Sequence, residues 1–135
     1  LTASGTNAGT TPAYSIANGL VVYVVSTYGS CGGKRVYIQH NVNGVIYTSG
    51  YLHLNNVYVR EGQTVTKDTI IGTLAGWPDP TYGKSDGCST GAHLHLEISK
   101  GTFANGNYSA YRMSPTNFIN FPYVGSSWTD RRTKY

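Results

Sequence analysis

At 135 residues the chain is long enough to bury one hydrophobic core and too short for two. Charged residues make up only 12%, against 17 Gly and 12 Tyr, a composition of turns and aromatic surface that excludes a disordered chain or a long-helix bundle. The net charge of +4 suits either an anionic neighbourhood or a mildly basic surface. No element interleaves a Lys/Arg cluster with aromatics, so the chain does not read as a nucleic-acid binder.

Leu1 to Thr11 is small and polar, a loop without helical or strand period. Ala13 to Ile16 and Gly19 to Ser26 are β-branched stretches separated by Asn18-Gly19, a hairpin signal. After a Gly-rich turn holding Cys31, Lys34 to His40 alternates polar and apolar residues. Asn41 to Gly44 turns the chain into Val45 to Leu54, which predicts a long hairpin with His53 near its far end. Val57 to Val59 reads as a short strand, Glu61-Gly62 and Lys67-Asp68 as turns, and Thr69 to Leu74 as another strand. Ala75 to Ser89 is a loop rich in Gly, Pro and Asp, long enough to border a binding site. A strand over Ala92 to Ser99 follows, and Ser114-Pro115 has the chemistry to start one short helix through Phe118 or Ile119. The segment 121–135 is an irregular tail with Asp130-Arg131-Arg132 as a solvated charge cluster. These elements predict an all-β fold, a compact antiparallel sheet sandwich or half-barrel with a groove bordered by long loops and one short C-terminal helix.

No apolar run reaches the roughly 18 residues that a membrane helix needs, so no helical membrane span is expected. Cys31 and Cys88 both sit in Gly/Ser-rich turns, and two readings stand. A disulfide between them would stabilise the fold by about 4 kcal/mol and imply an oxidising compartment. The other reading is two free thiols.

The chemistry concentrates in Cys88-Ser89-Thr90-Gly91-Ala92-His93-Leu94-His95-Leu96-Glu97. The run reads as a strand entered through a Gly-containing turn, so His93 and His95 share a face and Leu94 and Leu96 point into the core. Imidazole is the commonest metal ligand and the side chain best placed to move protons near neutral pH. A bare His-x-His pair also occurs on ordinary amphipathic strands.

That run, taken with Gly50-Tyr51-Leu52-His53-Leu54 and with Val59-Arg60-Glu61-Gly62-Gln63-Thr64-Val65 to Ile70-Ile71-Gly72, resembles the lysostaphin and LytM type of murein zinc endopeptidases. The resemblance runs from about Thr11 to about Ser99. It implies one such peptidase domain over 1–135 that cuts peptide bonds of peptidoglycan, in the stem peptide or cross-bridge, with one Zn2+. By position it makes His95 a zinc ligand, and makes His53 and His93 the catalytic imidazoles that flank the water and the developing oxyanion. His40 matches a supporting position away from the metal. Tyr51, Asn56, Trp77 and Tyr82 are candidate substrate contacts, and Glu97 either orients a ring by hydrogen bonding or is a solvated carboxylate.

In the family a further His and Asp ligand precede the first long strand. Here Gly9-Thr10-Thr11-Pro12 matches the following turn and no His, Asp or Glu stands before it. Neither His40 nor Asp86 occupies a position that the family uses for metal. The expectation is an N-terminally truncated domain whose two remaining ligands lie upstream of Leu1, with a catalytically inactive relative that binds murein or a protein partner as the alternative. The expected setting is extracellular, at the cell wall, or a phage particle. The domain would act as a monomer or as part of a larger multidomain or phage-tail protein.

Overall fold

The computed structural model describes residues 7–27, 31–76, 91–103 and 111–118. In chain order the strands are β1 (Pro12–Tyr14), β2 (Gly19–Val25), β3 (Lys34–Val42), β4 (Val45–Val57), β5 (Thr64–Val65), β6 (Ile70–Leu74), β7 (His95–Lys100) and β8 (Arg112–Met113). They form one antiparallel sheet in the order β1-β6-β4-β3-β2-β5, with β7 added to β4 and β8 to β7. The sheet curls into a half-barrel rather than closing a two-sheet sandwich.

The expected β3–β4 hairpin is present. Asn43 and Gly44 both take positive φ, 52° and 85°, the combination that matches the twist of a tight hairpin. The Gly44 amide donates to Asn41 Oδ1 at 2.8 Å. Register then runs from Val42 opposite Val45 to Lys34 opposite Leu54. One face of this ladder supplies the core: Val36, Ile38, Tyr51 and Leu54, packed with Val21, Val65, Ile71 and Leu74, are buried. Each large apolar side chain fully removed from water there stabilises the fold by about 1.5–3 kcal/mol.

Asn18-Gly19 does not close a hairpin. β1 pairs with β6, through Pro12 opposite Thr73, while β2 pairs with β3 and β5. The connection turns on a bond from Ser15 Oγ to the Ala17 carbonyl, and the Asn18 carbonyl faces His40 instead. A Cβ on Gly19 would meet the Gln39 carbonyl oxygen and the Ile38 side chain at 2.6 Å, so this position needs glycine for close approach. Val57 ends β4 and does not begin a separate strand. The expected C-terminal helix is a single 3-10 turn, Pro115–Asn117. Ser114 Oγ is 2.7 Å from Thr116 Oγ1 and leaves the backbone amides uncapped. Ile119 lies outside the described residues.

His40 ties three elements together. Its Nδ1 donates to the Asn18 carbonyl at 2.8 Å, so Nε2, 2.7 Å from Ser49 Oγ, is left as the acceptor. Ser49 Oγ is in turn 2.9 Å from the Tyr51 hydroxyl. Burial pushes the His40 pKa below its ordinary value, against a smaller opposing effect of the bond to Asn18. The unfolded chain therefore takes up the proton first as pH falls. Stability from this site is complete above the ordinary imidazole pKa of about 6.5. It is lost as pH drops below that, and the loss ends at the lower folded-state pKa. In urea unfolding, His40→Gln is expected to flatten the acid limb relative to the parent, a difference of at most about 1.4 kcal/mol per pH unit. Parallel limbs would remove His40 from acid sensitivity.

Candidate active site

β4 is the strand on which the site is assembled. One edge pairs with β3 throughout, but the other changes partner: β7 accompanies Tyr47 to Leu52, and β6 accompanies Leu54 to Val57. The sheet forks at His53. There the backbone takes φ 62°, a left-handed conformation that costs a non-glycine residue about 1–3 kcal/mol. Two long-range bonds hold it: the His53 amide donates to the Gly32 carbonyl at 2.9 Å, and the Ala75 amide donates to the His53 carbonyl at 2.8 Å. Register shifts on both sides of the fork, against β3 and β6, mark local bulges, which commonly re-aim a side chain.

The ring of His53, whose residue is only 6% exposed, sits 4.7 Å from that of His93 and 5.7 Å from that of His95, centroid to centroid. The three imidazoles are thus brought together, though not by the alternation expected. β7 begins at His95, opposite Leu52, and His93 belongs to the turn before it. Only His95 and Glu97 share a strand face. His93 Nδ1 is 2.8 Å from the Gly91 carbonyl and must donate to it, so Nε2 carries the lone pair in the neutral ring. His95 is the opposite tautomer: Nε2 donates to Glu97 Oε1 at 3.1 Å and Nδ1 is left with the lone pair. A depression of about 260 Å3 runs beside these rings, lined by His93, Leu94, His95, Leu96 and Pro115.

Glu97 is buried rather than solvated, and its Oε1 accepts from His95 Nε2 at 3.1 Å and from Arg112 Nη2 at 2.9 Å. Tyr51 is corrected. It is fully buried, accepts from the Ile16 amide at 2.8 Å, and offers no surface to a ligand. Burial raises its phenol pKa, with smaller opposing effects from its hydrogen bonds. The left-handed residue at 53 is the reason: it interrupts the alternation that would have put both side chains on one face. Asn56 is an exposed position on the β4–β6 seam, donating to Thr73 Oγ1 at 3.4 Å. Trp77, Tyr82, Asp86 and Cys88 lie outside the described residues.

Sequence reasoning missed Arg112, Pro115 and an aromatic group in which the Phe103 ring lies 4.5 Å from Tyr37 and 5.0 Å from Tyr23. Arg112 and the aromatic group carry no local signal because their contacts are made across strands, and Pro115 signals only the start of a helical turn. A catalytic zinc takes three protein ligands plus water. Among the described residues no three of His, Cys, Asp and Glu are grouped to hold a metal, so these residues alone do not complete a zinc shell.

A sequence model of Peptidase family M23 matches residues 3–110. A curated relative, peptidoglycan DD-endopeptidase ShyC of Vibrio cholerae, is 36% identical over 88 residues, which are 65% of this chain and 17% of that protein. The chain therefore spans about a sixth of that relative. The catalytic domain of lysostaphin from Staphylococcus simulans superposes with a TM-score of 0.62 at 26% identity, covering 82% of this chain and 71% of that one. A zinc-containing peptidase from Vibrio cholerae gives a TM-score of 0.50 at 32% identity over 66% of this chain and 23% of that one.

Proposed function

The chain belongs to peptidase family M23, and from that membership we propose that it hydrolyses peptide bonds of bacterial peptidoglycan, in the stem peptide or cross-bridge, as a zinc endopeptidase. The observation that carries the reading is the meeting of His53, His93 and His95 at the fork in the sheet. His95 offers Nδ1 as one metal donor, and among the described residues no second and third are grouped with it. Zinc, when bound, supplies Lewis acidity, which acidifies water and polarises a carbonyl. The chain's own part is proton handling. His93 Nε2 accepts the proton of the attacking water and returns it to the leaving amine, and His53 donates toward the developing oxyanion.

The substrate places the protein at the cell wall, outside the cell or on a phage particle, and the net charge of +4 favours that anionic surface. Among the described residues no helix is long and apolar enough to cross a membrane. A Cys31–Cys88 disulfide belongs to the same proposal. Intact mass after alkylation without reductant is expected to show no added label, and one label per cysteine would overturn the bond.

The test incubates the native protein with purified sacculi, counts released amino groups, and measures bound zinc. Amino groups are expected to accumulate, to stop accumulating on chelation, and to resume when zinc is restored. Retention on sacculi with neither zinc nor release would replace this reading with a binding module that does not cut.

A further inference from the structure

We propose that Glu97 and Arg112 are positioning residues for His95, with β8 clamping the carboxylate that fixes the imidazole on β7. The proposal rests on reading His95 as a working ring. Glu97 lies opposite Gly50, which has no side chain, and Gly50 lies opposite Tyr37 on its other side. The carboxylate therefore settles into the trough between β7 and β3 and is only 7% exposed. Its Oε1 takes two donors, His95 Nε2 at 3.1 Å and Arg112 Nη2 at 2.9 Å. Its Oε2 is buried with no hydrogen-bond partner among the described residues.

A buried, half-satisfied carboxylate is costly, and an apolar side chain of similar size avoids that cost. What the charge supplies is a strong acceptor for a half-exposed imidazole that would otherwise rotate and exchange its proton. Arg112 makes that acceptor stationary. β8 pairs with β7 through Ser99 opposite Arg112, and Ser99 shares a strand face with Glu97, so the guanidinium reaches the carboxylate diagonally. Arg112 lies past the stretch 3–110 that matches the family, so the clamp comes from this chain's C-terminal segment.

The test is 1H and 15N NMR of the His95 ring in the native protein at a pH above the imidazole range, with peptidoglycan hydrolysis measured separately. The wild type is expected to show a hydrogen-bonded Nε2 proton and an unprotonated Nδ1. Glu97→Gln is expected to lose the downfield position of that proton. Arg112→Gln, which keeps a hydrogen-bond donor at this half-exposed position, is expected to speed its exchange at least about tenfold, and Arg112→Lys to restore much of the protection. His95 signals identical in wild type, Glu97→Gln and Arg112→Gln would overturn the clamp even if sacculi are cut. Changed signals in a protein that cuts nothing would uphold the clamp and reject the hydrolytic reading.

Discussion

With His93 replaced by alanine, release of amino groups from sacculi by the native protein is expected to fall about 10²–10⁴-fold, the usual worth of a positioned proton carrier. His93 sits in the turn before β7, so its removal leaves the sheet pairing intact. The lost bond from Nδ1 to the Gly91 carbonyl, at a partly exposed residue, costs on the order of 1 kcal/mol. The expected signature is a collapsed rate with only a small shift of the unfolding midpoint. An unchanged rate would take His93 out of the chemistry. His53 calls for a different substitution, because alanine would also have to hold φ 62°. His53→Asn suits the left-handed backbone better and isolates the loss of the ring.

The largest expected loss of stability is at Gly72→Ala, about 3 kcal/mol. Gly72 lies in the middle of β6, between Ala13 on β1 and Val57 on β4. A Cβ there would collide with the Asn56 carbonyl oxygen, a backbone atom that cannot swing aside as a side chain would. Relief requires β6 to part from β4 just beyond the fork, so the imidazole cluster loosens together with the fold. Urea unfolding gives the measurement. A variant within about 0.5 kcal/mol of wild type would mean that the seam has more room than the structure shows.

The β3–β4 hairpin was legible because its register is local: alternation on both strands, and Asn43-Gly44 between them, agree on one pairing. β1 was misassigned because its partner, β6, is distant in sequence and Asn18-Gly19 imitates a turn that the chain does not make. The histidines were legible as a set through their motifs, but the means of bringing them together was not. Strict alternation predicts Tyr51 and His53 side by side, and a left-handed residue leaves no mark in a hydrophobic pattern. Alternation also placed His93 on β7, where a turn held by its own Nδ1 stands instead. Arg112 was invisible for the same reason as β1: its contact is made across a ladder, and nothing near it in sequence announces that.

The left-handed turn of the backbone at His53 has a further consequence. It is pinned by Gly32, just beyond the far end of the β3–β4 ladder, and by Ala75, which follows β6, so both anchors depend on strands that pair across the chain. The arrangement at His53 is therefore complete only when the β3–β4 ladder has closed to its far end and the chain after β6 has docked, and hydrogen exchange at the His53 and Ala75 amides would follow its completion.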